Sequence, residues 1–192
     1  MVAMKHTIVA LVEDKPGVLA RVASMFRRRG FNITSLAVGQ SEVPHQSRMT
    51  FVVQGDDATV EQVIKQLNKL IEVVRVSDLS EQEIVHRELA MVKVRATPQS
   101  RGEIAQLVDI FRANIVDVGP ETLIIEVTGD EDKIDSMYEL LKPFGVREVM
   151  RTGRVAMTRG LAAYRGSGNG KGRGATADDT VTRGVYEYDS IL

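Results

Sequence analysis

The sequence contains no cysteine and no tryptophan, and aromatic residues make up only 5% of its 192 residues. The absence of cysteine excludes disulfides, thiolate nucleophiles and cysteine-based zinc sites, and it fits a reducing compartment, so we expect a cytoplasmic protein. No apolar run approaches the roughly 20 residues needed to cross a bilayer. The N-terminal segment also lacks the small-residue cleavage site of a signal peptide, so we expect no membrane partner.

An excess of charge of either sign is also missing, because 25 basic residues face 26 acidic ones and the formal net charge is −1. No overall field therefore draws the chain to nucleic acid. Arg27 to Arg29 form a basic run, but they lie at the predicted end of a helix, where positive charge complements the helix dipole. His6, His45 and His86 stand far apart and outside any metal-ligand spacing. We predict no catalytic residue and no metal site.

Hydrophobic periodicity in the first half predicts the element order βαββαβ. Apolar residues at helical spacing from Val18 to Phe26 predict a first helix, which Gly30 ends. Gly55-Asp56-Asp57 supplies the cap of a second helix. This order is typical of a ferredoxin-like α+β domain, with an antiparallel four-stranded sheet and both helices on one face. The predicted strands are His6 to Val12, Phe31 to Val38, Met49 to Val53 and Val73 to Val76.

The second half repeats the first. An offset of 85 residues carries Gly17 to Gly102 and Asn32 to Asp117 without a gap. Further on, an offset of 74 carries Gly55-Asp56-Asp57 to an equivalent Gly-Asp-Glu at 129–131. The smaller offset reflects a shorter connection between the two central strands, where Gly119-Pro120 makes a tight turn. The sequence therefore predicts two tandem copies of one fold.

The composition sets the predicted boundaries of these copies. We predict a first domain at 1–79, a short linker at 80–84 and a second domain at 85–160. The residues at 161–192 are rich in glycine and have almost no apolar periodicity, which predicts a flexible tail.

The start of the first helix is short of side chains. Asp14 can cap this helix, and Pro16 is pre-set for its first turn. Gly17 is harder to explain, since a glycine inside a helix costs about 1 kcal/mol relative to alanine. Free N–H groups at a helix start form a site for a carboxylate. From the residues alone, ligand binding and simple turn geometry are both open explanations of Gly17.

Several stretches resemble the small regulatory subunit of acetolactate synthase (acetohydroxyacid synthase), which consists of an ACT domain followed by an ACT-like domain. The resemblance covers about Lys5 to Gly160. D-x-P-G-x-L alone would indicate only some ACT domain, whereas S-R-M-T and R-E-L-A-M-V-K-V at these distances are specific to this family. The stretches are Asp14 to Leu19, Arg29 to Ile33, Ser47 to Thr50, Lys65 to Ile71 and Arg87 to Val94.

This resemblance implies a subunit without catalysis of its own in the biosynthesis of valine, leucine and isoleucine. Such a subunit binds a catalytic large subunit, raises its activity and makes it sensitive to feedback inhibition by a branched-chain amino acid, commonly valine. The chain would bind no cofactor, and thiamine diphosphate, magnesium and FAD are expected on the catalytic subunit. The effector would lie between the ACT domains of a homodimer.

The resemblance also implies roles for individual residues. The backbone N–H groups of Gly17, Val18 and Leu19 would hold the effector carboxylate, and Asn32 of the other protomer would hydrogen-bond its polar end. The remaining two predicted site residues are Asp14, which would order the loop or meet the ammonium group, and Ile33, which would line the pocket.

The second copy departs from this pattern, because Asp117 stands in place of Asn32 and would repel a carboxylate. We expect the effector in the first domain only, with the second serving contacts to the catalytic subunit or dimer packing.

Three other classes share the fold. RNA-binding domains carry exposed aromatics on the central strands, and Phe51 is the only aromatic in Met49 to Val53. A phosphatase-like enzyme needs a phosphate loop, yet Pro16 removes one amide donor and no nucleophile stands beside it. An ACT sensor attached to some other biosynthetic enzyme is the third class, against which the second-domain resemblance argues.

Overall fold

The computed structural model describes residues 4–160, so the predicted tail at 161–192 lies outside the described residues. The first half of the described chain has the predicted order of strands and helices. Its elements are β1 (Met4–Glu13), α1 (Val18–Arg29), β2 (Ile33–Gln40), β3 (Gln46–Gly55), α2 (Asp57–Leu67) and β4 (Val73–Asp78).

The second half repeats this order and adds one strand. Its elements are β5 (Ile84–Arg95), α3 (Arg101–Ile110), β6 (Asn114–Val118), β7 (Thr122–Gly129), α4 (Glu131–Leu141), a 3-10 helix (Lys142–Phe144), β8 (Val146–Arg151) and β9 (Val155–Thr158). None of the four α-helices in this part of the chain has the length and apolar composition of a membrane-spanning helix.

The first sheet has the strand order β2-β3-β1-β4, and each neighbouring pair is antiparallel. Alternate residues of its strands pack against α1 and α2 to form one hydrophobic core. Phe26 of α1 stacks on Phe51 of β3 in this core, with ring centroids 5.3 Å apart. The second sheet has the order β6-β7-β5-β8 and its own core against α3 and α4. Two tandem ferredoxin-like domains are therefore confirmed.

The helix ends follow the capping rules read from the sequence. Asp56 accepts a hydrogen bond from the N–H of Thr59 at 2.9 Å, and Asp130 accepts one from the N–H of Lys133 at 2.9 Å. Gly30 ends α1 in the left-handed conformation, with φ of 69°. These predicted helix ends are confirmed. They could be predicted because each depends on a side-chain acceptor or a backbone angle that few residue types supply.

The ninth strand was not predicted, and it changes how the two halves meet. β9 pairs with Ile84 to Arg87 at the start of β5, whereas Glu88 to Arg95 pair with β7. The resulting β5/β9 ribbon lies over the face of the first sheet that is opposite its helices. Val9, Leu79 and Ala156 are buried together there. The first sheet is thus covered on both faces, by its own helices and by the second half of the chain.

Candidate functional site

The start of α1 is formed by a glycine in an unusual backbone conformation. Gly17 is the residue that precedes the helix, with φ of 88° and ψ of −11°, and no side chain caps the helix. The prediction that Asp14 caps the helix is therefore wrong, and Pro16 lies before the helix rather than in its first turn. A Cβ on Gly17 would meet no atom within 4 Å. The left-handed backbone, which side chains disfavour, therefore accounts for this glycine.

The same conformation leaves backbone donors open. The N–H of Val18 reaches the carbonyl of Lys15 at the long distance of 3.4 Å. The N–H groups of Gly17, Leu19 and Ala20 have no acceptor within residues 4–160. Both Gly17 and Leu19 are exposed. Several donors at the positive end of the helix dipole thus face solvent, which is the arrangement that binds a carboxylate.

The charged side chains around the helix start are mostly paired. Lys15 lies 2.8 Å from Glu13, and the hydrogen bond and charge of Glu13 raise the pKa of Lys15. Arg21 forms an ion pair with Glu72. Asp14 is exposed, and its carboxylate has no ion-pair partner in the described part of the chain. The carboxylate that remains available beside the open N–H groups is therefore that of Asp14.

The other two predicted site residues lie at the opposite end of the domain. Asn32 is exposed directly before β2, and Ile33 packs partly against the first core. Ile33 is level with His6, because both pair with Val53 of β3. β1 runs seven further residues from His6 to Glu13, which is roughly 23 Å at 3.3 Å per residue. One chain therefore brings Gly17, Val18 and Leu19 together but keeps Asn32 and Ile33 far from them.

The corresponding helix start in the second domain is built differently. α3 begins at Arg101, so Gly102 lies inside the helix rather than before it. The N–H of Arg101 bonds to the carbonyl of Thr97 at 3.0 Å. Its guanidinium donates to the carbonyl of Pro120 at 2.6 Å and to that of Gly119. The turn formed by Gly17 has no counterpart here, since Ser100, the residue before α3, has a right-handed backbone conformation.

A polar contact between the two halves was missed by the sequence reasoning. The N–H of Arg154 donates to Ser35 Oγ at 2.8 Å, and Arg154 Nη1 donates to Thr7 Oγ1 at 3.0 Å. Arg154 Nη2 also pairs with Glu131 at 3.1 Å, and Lys5 pairs with the same carboxylate at 2.5 Å. Four of these residues line a cavity of about 320 Å³, namely Lys5, Ser35, Glu131 and Arg154. Periodicity gave no signal for them, since they are isolated polar residues on β1, β2, α4 and the loop before β9.

Phe51 bears on the RNA-binding alternative. Its ring is fully buried in the first core, so it cannot stack on a base. Within residues 4–160, no group of three or more His, Asp or Glu side chains is arranged to hold a metal ion. What this part of the chain presents is a set of open backbone donors beside one carboxylate, which suits recognition of a ligand.

Tandem ferredoxin-like domains with such a helix start fit the ACT-domain class that the sequence resembles. Comparison with known families is more specific. The model of the AHAS small subunit-like ACT domain matches residues 8–75, and that of the small subunit of acetolactate synthase matches residues 87–160. The chain belongs to the family of acetolactate synthase small subunits, which are regulatory rather than catalytic.

Individual relatives agree with this assignment. The "Probable acetolactate synthase small subunit" of Archaeoglobus fulgidus is 61% identical over 157 residues, which cover 82% of this chain and 98% of that relative. The small subunit of Mycobacterium bovis is 51% identical over 155 residues, covering 81% and 92%. The crystal structure of the small subunit from Thermotoga maritima has a TM-score of 0.76 and 47% identity, covering 81% and 98%. Membership in a small-subunit family implies a catalytic large subunit as partner.

Proposed function

We propose that this chain binds and activates the thiamine-diphosphate-dependent catalytic subunit and makes it sensitive to a branched-chain amino acid such as valine. Feedback inhibition of this kind would control the biosynthesis of valine, leucine and isoleucine. The observation that carries the proposal is the uncapped helix start at Gly17. The left-handed glycine turn before the helix is present in the first domain only, since α3 of the second domain follows Ser100 in a right-handed conformation and has Gly102 inside the helix.

The effector carboxylate is held by the N–H groups of Gly17, Val18 and Leu19. The long bond from Val18 to Lys15 is weak enough to be exchanged for a charged acceptor. Asp14, the unpaired carboxylate beside these donors, meets the ammonium group. A helix start that binds the carboxylate and an acid that binds the amine together recognise an α-amino acid.

The pocket for the side chain needs a second copy of the chain. Asn32 and Ile33 lie at the wrong end of their own domain to reach Gly17. β2 is an edge strand of the first sheet. Pairing it in full antiparallel register with β2 of another copy puts Ile33 of one chain opposite Gln40 of the other. Gln40 is at the end of the sheet where β1 finishes and the Gly17 turn begins. Each site then combines residues of both protomers.

The surface beside this edge fits such a homodimer. Val38 is 48% exposed and Met157 is 64% exposed. Both line an apolar hollow of about 480 Å³, which β2 shares with β5 and β9. A second copy at the edge would remove this apolar surface from water and would pair the free edge, which is otherwise a template for aggregation.

The remaining partners follow from this assignment. The chain carries no cofactor of its own, and thiamine diphosphate, magnesium and FAD belong to the catalytic subunit. The domains bind no nucleic acid. The complex works in the cytoplasm. A chain without cysteine has no disulfides, so the reducing environment there does not affect its stability.

The energetic demand on the effector is modest. A ligand shifts activity only by its differential affinity for the active and inhibited assemblies. A hundredfold preference corresponds to about 2.8 kcal/mol. One carboxylate bound by three backbone donors and one paired ammonium group can supply a difference of this size.

Reconstitution tests the proposal. The acetolactate-forming rate of the catalytic subunit is measured alone, with this chain, and with this chain plus valine, leucine or isoleucine. We expect the chain to raise the rate and at least one amino acid to lower it again. A rate that does not respond to the chain would contradict the proposal. The Gly17→Asp variant serves as the control, since it should activate the enzyme but should not respond to the amino acid.

A further inference from the structure

A short loop of the second domain touches the first domain beside the proposed effector residues. Residues 152–154 connect β8 to β9, and Gly153 in this loop has φ of +82°. A Cβ on Gly153 would lie 2.8 Å from Ser35 Oγ and 3.1 Å from the carbonyl of Leu36. The loop backbone therefore packs directly on β2, two residues after Ile33, and only glycine fits the position.

Arg154 ties this loop to both domains at once. Its N–H donates to Ser35 and its Nη1 to Thr7, both in the first domain. Its Nη2 pairs with Glu131 in the first turn of α4, in the second domain. The Arg154 side chain is only 12% exposed, so these charged hydrogen bonds are screened little by water. Arg154 is therefore placed to transmit a displacement of β2 to α4.

β2 is irregular at the point where the loop touches it. The pairing register with β3 shifts between Ile33 and Ser35, and Thr34 Oγ1 donates to the carbonyl of Val52 at 3.0 Å. A bulge interrupts the regular ladder and re-aims the side chains around it. Here it separates Asn32 and Ile33, on one side, from Ser35 on the other. Ordering of the first pair by a ligand would change the position of Ser35.

The contact is not arranged for maximal stability. Arg154 Nε is buried and has no acceptor in the described part of the chain. A buried N–H without a partner carries an uncompensated desolvation cost. The Arg154 guanidinium therefore keeps one unused donor at the junction of the two domains.

We propose that the Gly153-Arg154 loop changes position when the effector site is occupied and transmits this change to the second domain through Arg154 and Glu131. The inference rests on the proposed function. The ligand orders the start of β2, the bulge at Thr34 adjusts, Ser35 shifts against Arg154, and Glu131 carries the change into α4. Arg154 and Ser35 are coupling residues that do not contact the ligand.

The test uses the complex of this chain with its catalytic subunit. The variants Ser35→Ala, Arg154→Ala and Glu131→Gln are compared with Ser136→Ala and Arg147→Ala, which change exposed residues of the second domain. Valine, leucine and isoleucine are the probes. Binding is measured by equilibrium dialysis, and inhibition is measured in the same samples. Thermal melting checks folding, and Ser35→Ala, the mildest change, decides the outcome if Arg154→Ala does not fold.

We expect the three coupling variants to bind the amino acid within about threefold of the native complex while the fraction of activity lost at saturating amino acid falls about threefold or more. The two control variants should behave like the native complex. Unchanged inhibition in Ser35→Ala and Arg154→Ala would overturn this inference alone. Loss of binding together with inhibition would also overturn it, because these residues would then belong to the ligand site. A native complex that neither binds nor responds to any of the three amino acids would defeat the proposed function as well.

Discussion

Glu88 of β5 and Arg151 of β8 form an ion pair. Glu88 is the first residue of β5 that pairs with β7, directly after the segment that pairs with β9. Glu88 is 6% exposed and accepts hydrogen bonds from Arg151 Nε at 3.2 Å and Nη2 at 2.8 Å. Arg151 also donates to Asp135 of α4 at 2.7 Å. Burial opposes the charge on Arg151, but the bonds to Asp135 and Glu88 outweigh it, so the pKa of Arg151 lies above its ordinary value.

Loss of this carboxylate should destabilise the second domain. Glu88→Ala removes two charge-assisted hydrogen bonds, so we expect the free energy of unfolding to fall by about 1.5–3 kcal/mol. Arg151 retains Asp135 and is partly solvated, which keeps the loss below that of a fully buried pair. Urea unfolding measures this fall in the free energy of unfolding. Glu148→Ala, which changes an exposed carboxylate of β8, is the control and should shift the midpoint little. Equal midpoints for the two variants would contradict this expectation.

Charge at position 17 should decide whether the amino acid binds. Asparagine and aspartate are nearly the same shape, and both tolerate the left-handed backbone better than other side chains. We expect Gly17→Asp to abolish binding of the effector, since its carboxylate competes with that of the ligand, and Gly17→Asn to weaken binding only partly. Calorimetric titration with valine, leucine and isoleucine compares the two variants.

The matched control for this pair is Gly102→Asp in the second domain. The same sequence offset relates the two glycines, but Gly102 lies inside α3. Binding should survive this change. An effector lost equally in Gly17→Asp and Gly102→Asp would argue against a site in the first domain only.

Mixed dimers should show that each site is built from two chains. Gly17→Asp and Asn32→Ala homodimers should both fail to bind the effector. In a mixed dimer of the two variants, one site carries both changes and the other carries neither. We expect half of the native binding stoichiometry to return in dimers purified with two different affinity tags. No recovery would mean that Gly17 and Asn32 of the same chain act together.

The cap of α2 should contribute a pH-dependent part of the stability. The hydroxyl and the N–H of Thr59 both donate to Asp56, which lowers the pKa of this carboxyl. A lowered pKa in the folded state means that the stabilisation is present above the unfolded-state pKa and is lost as the pH falls through the folded-state pKa. Asp56→Asn keeps a cap that does not titrate in this range.

We therefore expect the native chain to lose more thermal stability than Asp56→Asn between pH 7 and pH 3. Melting curves recorded across this range give the comparison. A constant difference in melting temperature between the two proteins at all pH values would show that the cap does not titrate with folding.

Local signals in the sequence were enough for most of the fold. Gly55-Asp56-Asp57 and its repeat at 129–131 specify helix starts through side-chain caps, and Gly30 specifies a helix end through its backbone angle. Gly119-Pro120 specifies the tight turn, in which the N–H of Gly119 bonds to the carbonyl of Thr122 at 2.9 Å. Each of these depends on a few neighbouring residues, which is why sequence rules apply to them.

The errors arose where tertiary context decides. Gly17 and Gly102 match in sequence, yet one precedes its helix and the other lies inside it. The difference lies in the backbone before the helix, which is left-handed at Gly17 and right-handed at Ser100. β9 has only four residues, and its pairing partner is the distant start of β5. Arg154 has no partner near it in sequence, so no local pattern could reveal its contacts with Ser35 and Thr7.

The predicted site residues lie in two groups in the structure, and this separation was not visible in the sequence. Gly17 and Asn32 are close along the chain, and only the sheet register shows that they lie at opposite ends of the domain. The resemblance to a family implied a second protomer, and the register explains why the proposed site needs one.

β5 is a single continuous strand that pairs within the second half, while its first residues and β9 lie against the first sheet. A gene fragment that stops after Leu79 would encode a first copy whose Val9 has lost its contact with Ala156, and a fragment that starts after β5 begins would leave β9 without a partner. Transplanting either copy onto another enzyme would therefore expose an apolar sheet face. The sequence clearly shows the duplication, but the two copies cannot be separated at their boundary without exposing this apolar surface.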